Sequence, residues 1–485
     1  MIKVSNKPKK LLEFLSNDEV IKIHEQSLKL LKDVGVKVED DEVLVMLNEA
    51  GAKIDKNKKI AKFPLGLVSD CLKSTPSKAS LYSRNPENTL ILNDKYSYTR
   101  TNSGALHIYD WEKKKHRKAN LDDVKKIVKL VDSLDAVSTN EAVVDPQEIP
   151  HNLRGLYTVR VLIESEKHIL YPPSNIVVGE ALIEMASVIT NGTCELRKKP
   201  IISFNGGISS PLHYDKMGIG LLRKFANLGI PCLVGTGQIS GGLSPVTLAG
   251  TIMQANSEAL AGLVIVQIIN PGTPVIFGAH PNLLDMKTGV CVMASPEVAL
   301  MTIAVAQIAR YYNLPSWTYL GTTNSKIPDM QAGYDKMLTA ILCAMAGIDI
   351  YGAAGNLGAA LITSYETLLI DNEIFEMCNR ILEGITINSD TLAGDVIAEV
   401  GPAGNFLNHV HTFKHFKKEH WVPTISERYS LVGWMKHESK DAIQRAGERV
   451  EILLKEYKPL QLDEDKIKEL DLILEKYKNI ILSNN

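Results

Sequence analysis

The sequence predicts an α/β protein: a (β/α)8 barrel over residues 121–384, preceded by an N-terminal α+β accessory module (1–120) and followed by a C-terminal helical extension (385–485). Two observations carry that expectation. From about residue 121, short β-rich runs alternate with amphipathic or small-residue helices roughly every 30–40 residues, and eight such pairs are what a parallel barrel needs. In addition, no G-x-G-x-x-G follows the first strand, and the glycine-rich stretches Gly235-Thr236-Gly237 and Gly352–Gly358 lack phosphate-loop spacing. A doubly wound nucleotide-binding sheet is therefore disfavoured.

Taken in order, the chain begins with a helix over Asp18–Val34, where Val20, Ile23, Leu30, Leu31 and Val34 share a stripe that Ser27 completes and Gly35 caps. A second helix spans Asp41–Ala50. Short alternating runs from Ala79 to Trp111, separated by Asn, Asp and Gly, read as β structure and turns. The barrel strands are expected at Ala136–Val144, His168–Tyr171, Ile201–Phe204, Pro231–Gly235, Pro274–Phe277, Ser316–Leu320, Ile348–Tyr351 and Thr367–Ile370. Barrel active sites lie at the carboxyl ends of the strands, which here means loops 205–212, 236–243, 279–288, 321–331 and 352–358. These loops are polar, poor in strong acids and bases, and rich in glycine and alanine, which leaves room above the mouth. The small-residue helix Leu248–Ile269 holds one acid, Glu258, which needs a partner in such surroundings and reads as a structural acid supporting the site. After Ile385 the chain is helical again, with a histidine- and aromatic-rich stretch at Val410–Arg428, a charged amphipathic helix at Lys436–Tyr457 and a surface helix at the end.

Composition narrows the function classes. A net charge of −2, from 54 basic and 56 acidic residues, offers no pull toward nucleic acid or an anionic membrane. Six scattered cysteines without a C-x-x-C pair suit reduced thiols in a cytoplasmic protein. The longest apolar stretches are interrupted by Gln267, Asn270 and Pro271 before they could span a bilayer. No G-x-S-x-G elbow is present. The cluster His409, His411, His415 and His420 has no cysteine nearby, so it reads as a helix end or a contact surface rather than a metal site. Tyr98, Tyr109, Trp317, Tyr319, Tyr334 and Tyr351 lie on or beside strands and mouth loops. Converging, they would cage a quaternary ammonium; otherwise they are core residues. In I-P-D-M-Q-A-G-Y, Asp329 either caps the following helix or, with Gln331, points at whatever fills the mouth.

Several segments carry a resemblance: G-G-L-S-P-V-T-L-A-G at 241–250, A-N-S-E-A-L-A-G at 255–262, N-P-G-T-P-V-I-F-G at 270–278, T-N-S-K-I-P-D-M-Q-A-G-Y at 323–334 and H-T-F-K-H-F-K-K-E-H-W-V-P at 411–423. Together they make the chain resemble the trimethylamine methyltransferase superfamily, TIM-barrel proteins that pass methyl groups from methylated amines to a corrinoid protein. The trimethylamine enzymes carry pyrrolysine, whereas this chain has only the twenty standard residues. The resemblance therefore implies a quaternary amine such as glycine betaine as methyl donor. Cobalamin would be supplied by the partner corrinoid protein, with no cofactor bound permanently, no metal and no proton-transfer residue. It further implies that Tyr98, Tyr319, Asp329, Gln331, Tyr334, Tyr351 and Asn356 surround the substrate and that His411 and His415 touch the corrinoid protein. A homo-oligomer is compatible with these features. Demethylation of another N-methyl amine, or a non-catalytic scaffold that binds betaine or the corrinoid protein, are the alternative readings.

Overall fold

A computed structural model describes residues 5–6 and 11–483. Eight parallel strands form a nearly closed barrel: β1 (Tyr96–Thr101), β2 (Thr139–Asn140), β3 (His168–Tyr171), β4 (Ile202–Asn205), β5 (Cys232–Val234), β6 (Val275–Gly278), β7 (Ser316–Trp317) and β8 (Ile350–Ala354). Each is followed by a helix: α1 (Leu121–Ser133), α2 (His151–Leu162), α3 (Ile176–Ile189), α4 (Lys216–Asn227), α5 (Leu248–Ile269), α6 (Pro296–Tyr311), α7 (Met330–Met345) and α8 (Tyr365–Glu383). Neighbouring strands are paired in sequence order from β2 to β8, and β8 pairs in parallel with β1. The ring closes where Ser138 N–H donates to the Thr99 carbonyl (2.9 Å) and Glu141 N–H to Thr101 Oγ1 (3.0 Å).

The expected frame was shifted by one strand. Tyr96–Thr101, inside the segment assigned to the accessory module, is the first barrel strand, and Thr367–Ile370 lies in α8. The helix wins there because Ser364 caps it, accepting from Thr367 N–H at 3.1 Å. Leu368, Leu369, Phe375 and Cys378 then bury one side of it against the barrel.

Helix α5 is 22 residues long and apolar enough to cross a bilayer by length and composition, with Gln267 inside it rather than ending it. Of its apolar window, 89% is buried within the protein, which marks it as a core helix. The N-terminal helix Asn17–Asp33 begins on a Ser16–Glu19 capping box and docks on α5 through Ser27, whose hydroxyl donates to the Met253 carbonyl and accepts from Asn256 Nδ2 (2.9 Å).

Beyond α8, Glu373 holds the chain by accepting from the backbone N–H groups of Thr424, Ile425 and Ser426. The final helix Glu464–Ser483 is less superficial than its charge suggests. Leu470, Ile473, Tyr477 and Ile481 are buried, and Tyr477 donates to Glu184 of α3 at 2.8 Å.

Candidate active site

The two ends of the barrel are built differently. At the amino end a hairpin, Ala79–Leu81 paired with Leu90–Leu92, inserts Leu81, Leu90 and Leu92 beneath the inward-facing Leu170, Leu233, Ile276 and Ile350. It is tied to the residues that lead into the strands: Tyr82 N–H donates to Pro200 O (3.1 Å), Asn85 N–H to Glu166 O (3.1 Å) and Asn93 N–H to Asp349 Oδ1 (2.5 Å). His168 bridges the Tyr82 carbonyl and Ser203 Oγ at 2.6 and 2.7 Å. A carbonyl can only accept, so Nδ1 carries the proton and Nε2 accepts from the serine. Burial holds this imidazole neutral, with its pKa lowered to about 4.

Tyr98 belongs to this floor. Its ring packs in the same apolar cluster and its hydroxyl accepts from Ile91 N–H of the hairpin at 3.2 Å. It is not at the mouth, where the sequence reading put it. A strand alternates its faces every residue, so the inward positions after Tyr98 are Arg100 and then Asn102, and these climb toward the carboxyl end.

Above the floor sits a buried polar layer. Arg100, 1% exposed, donates Nε to Glu141 Oε1 at 2.6 Å and Nη2 to Oε2 in a two-point fork; Glu141 is wholly buried. The guanidinium lies 5.1 Å from the Tyr319 ring centre and 5.3 Å from that of Trp317. The His280 ring is 5.6 Å from Trp317 and 5.7 Å from Tyr319. Tyr319 donates its hydroxyl to Asn102 Oδ1 and accepts from Ser103 N–H (3.3 Å); Asn356 Nδ2 donates to the same Asn102 oxygen at 3.2 Å. Asn356 Oδ1 in turn accepts from Thr323 N–H (3.2 Å).

Burial raises the Glu141 carboxyl to about 7 against the pull of Arg100, and lowers His280 to about 3 with help from the same cation. Five polar atoms of this layer and the adjoining loops have no hydrogen-bond partner among the described residues: Arg100 Nη1, Asn102 Nδ2, Gln238 Oε1, His280 Nδ1 and Asn282 Oδ1. Buried groups left unpaired typically cost about 1–3 kcal/mol each, so their concentration here marks a place built for something polar. A cavity of about 500 Å³ adjoins it, bounded by Ser103, Gly104, Ala142 and Tyr171 among others, at the carboxyl ends of β1, β2 and β3.

Of the residues chosen from sequence, Tyr319 and Asn356 are in this layer and Trp317 borders it. Tyr351 is not. Its neighbour Ile350 points inward, so Tyr351 faces out and meets Phe375 of α8 edge-on at 6.0 Å. Asp329 caps α7, accepting from Ala332 N–H at 3.0 Å. Gln331 donates to Asp335 (3.3 Å), and Tyr334 is 63% exposed. All three lie on the rim, outside the polar layer. Tyr109 packs against His116 with tilted rings (5.1 Å between centres) in a separate small sheet.

Glu258 is fully buried and accepts from Ser210 Oγ (2.8 Å), Leu212 N–H (2.9 Å), Gln238 Nε2 (2.6 Å) and Gln254 Nε2 (2.9 Å). It thereby ties two mouth loops to α5. His411 and His415 turn toward Asp390 within the C-terminal extension, with the His415 ring nitrogen 3.5 Å from its carboxylate. Val410, Phe413 and Phe416 are the large apolar side chains that this helix exposes. The glycines at the mouth serve close strand approach more than open space: a Cβ on Gly235 would sit 1.8 Å from Gly278 O, and one on Gly278 2.0 Å from Trp317 O.

Arg100, Glu141, Asn102 and His280 were missed. The available signal was the inward run Tyr98, Arg100, Asn102 in a strand-like stretch, which only counts once that stretch is known to be part of the barrel.

Comparison with known proteins agrees with this architecture. The monomethylamine methyltransferase of Methanosarcina barkeri superposes over 91% of this chain and 93% of its own with a TM-score of 0.50, at 11% identity, a likeness of fold. Sequence similarity is greater elsewhere. A trimethylamine methyltransferase from Desulfitobacterium hafniense (strain DSM 10664 / DCB-2) is 33% identical over 450 residues, covering 93% of this chain and 90% of that one. A glycine betaine methyltransferase from Desulfitobacterium hafniense (strain Y51) is 34% identical over 452 residues, covering 93% and 94%. The trimethylamine methyltransferase (MTTB) family description matches residues 2–481, and the chain belongs to that family of methyltransferases.

Proposed function

We propose that this methyltransferase takes a methyl group from a quaternary amine of the betaine type and delivers it to the Co(I) of a cognate corrinoid protein. The observation that carries the reading is the buried layer of Arg100, Glu141, Trp317 and Tyr319 beneath a barrel mouth, in a chain 34% identical to a glycine betaine methyltransferase. A quaternary nitrogen already bears its charge, so a neutral amine can leave without a proton donor. That fits a layer whose one acid is held in a fork by arginine. The chain's own work is to orient the N–CH3 bond toward the mouth and keep water away from it.

The corrin, when docked, supplies the cobalt nucleophile. A surface suited to receive its carrier surrounds the mouth: Leu243, Val246, Met286, Val290, Ile327, Met330, Tyr334 and Leu361 are all exposed, and they come from the loops after four successive strands and, for Met330 and Tyr334, from the start of α7. Exposed apolar rims of this kind suit a protein partner. The six cysteines are free thiols, which supports a reducing, cytoplasmic setting.

The test is to mix the purified chain, Co(I) corrinoid protein and one of glycine betaine, proline betaine, carnitine, choline or trimethylamine, and follow the decay of the Co(I) absorbance. Decay with a betaine supports the reading. Decay with trimethylamine alone would favour the second reading, tertiary-amine demethylation, which rests on the nearly equal identity to a trimethylamine methyltransferase. No decay with any amine overturns both.

A further inference from the structure

We propose that Arg100 is the specificity-determining residue of this site: its Nη1 anchors a carboxylate on the substrate, so that the site takes zwitterions and rejects quaternary ammonium ions lacking an anionic group. The proposal rests on the quaternary-amine reading above and deepens it. In a guanidinium the three nitrogens lie 120° apart, and the Nε and Nη2 edge is spent on Glu141. Nη1 therefore points directly away from that carboxylate, and it has no partner among the described residues although the side chain is 1% exposed. A buried cationic N–H in that state calls for an anion or a strong acceptor.

A second donor stands on the same strand face. Asn102 Oδ1 accepts from both Tyr319 and Asn356, which settles the amide's orientation, because flipping it would set two NH2 groups against each other. Its Nδ2 is left unpartnered, like Nη1. His280, neutral and with Nδ1 also unpartnered, lies against the same two aromatic rings as the guanidinium. The residues that follow Asn102 and Glu141 along the chain, Ser103, Gly104 and Ala142, border the 500 Å³ cavity. Asn102 thus adjoins, through Ser103, space for a small carboxylate, while the three donor-capable side chains are not themselves part of its lining.

The same charge works against the wrong ligand. Glu141 already spends both oxygens on Arg100, so the layer has no free anion to offset a second cation. A lone quaternary ammonium would meet the uncompensated edge of a guanidinium in a low-dielectric site. A betaine brings its own carboxylate, closes Nη1 and leaves the layer neutral.

Titration calorimetry on the full chain without corrinoid protein tests this, using 3,3-dimethylbutanoate (the carbon isostere of glycine betaine), glycine betaine, its carboxamide and choline. The two carboxylates should bind about 100-fold more tightly than the carboxamide and choline, the scale of one buried charge-assisted contact. Arg100→Lys keeps a cation for Glu141 but lacks Nη1, and should shrink that ratio to a few-fold. The comparison among ligands on the unaltered protein stands even if the variant fails to fold. Binding of choline or the carboxamide within about threefold of glycine betaine overturns the proposal, as does absence of binding by either carboxylate. Methyl transfer from choline as readily as from betaine removes the anchor and leaves the proposed function standing. Carboxylate binding without transfer from any amine does the reverse.

Discussion

The floor and the mouth of this barrel use the same kinds of side chain to opposite ends. At the floor, His168, Asn93, Asp349 and the ammonium of Lys167 find their partners within the fold; Lys167 alone donates to the carbonyls of Val131, Leu134 and Val137 at 2.6, 2.5 and 2.5 Å. One layer higher, Arg100 and Asn102 are as deeply buried in the ring of strands and His280 is half-buried beside them, yet each retains an unpaired polar atom. Paired polar groups at depth stabilise the fold or at least do not weaken it. Unpaired ones lower stability, and they gather where a ligand is to be received. The contrast predicts that floor substitutions act on stability and mouth substitutions on binding.

The most damaging floor substitution should be Lys167→Met, which strips donors from three buried carbonyls. Urea unfolding should register a loss of about 3 kcal/mol with unchanged affinity for glycine betaine. A smaller loss of about 2 kcal/mol is expected for Glu258→Gln, since an amide cannot accept from four donors at once. Because Glu258 joins floor-like satisfaction to the mouth loops, hydrogen exchange should also quicken in 205–212 and 236–243; exchange that stays slow there would mean that the loops hold themselves.

Proton linkage sharpens the contrast further. His168 is neutral in the fold with its pKa depressed to about 4 from an ordinary 6.5, so its contribution is complete above pH 6.5 and declines as pH falls toward 4. His280, depressed to about 3, adds in the same direction, whereas Glu141, raised to about 7, opposes them by favouring the fold at the acid end. The His168 share of the slope is at most about 1.4 kcal/mol per pH unit. His168→Gln should flatten stability measured between pH 6.5 and 4.5; equal slopes in the two proteins would argue against a neutral buried imidazole. The smallest change in stability belongs to the rim. Met330→Ser and Tyr334→Ser, at 88% and 63% exposure, should leave the melting curve within about 0.5 kcal/mol of the parent. The apparent KM for the corrinoid protein should nevertheless rise, and an unchanged KM would remove these residues from the docking surface.

What was legible from sequence alone follows the range of the interactions. Helices α5 and α7 and the strands at 168–171 and 274–277 announced themselves through their own apolar runs and caps, because those preferences act between residues a few positions apart. The same local logic misread Thr367–Ile370, an apolar run too short to show its period, and it saw β structure around Tyr96–Thr101 but not its place in the barrel, because its neighbours in sequence are hairpins and its partners are at 138 and 350. Inward and outward faces were decided by register: one residue separates Ile350, in the barrel, from Tyr351, behind its wall. The Arg100–Glu141 pair spans 41 positions, and the contact of Tyr319 with Asn102 spans 217. Closure of the eight-stranded ring brings those groups together, and no pattern along the chain encodes such distances. Sequence thus determined the elements and the family, while the tertiary structure alone decided which side chains meet, because burial and charge act through space and local propensity acts along the backbone.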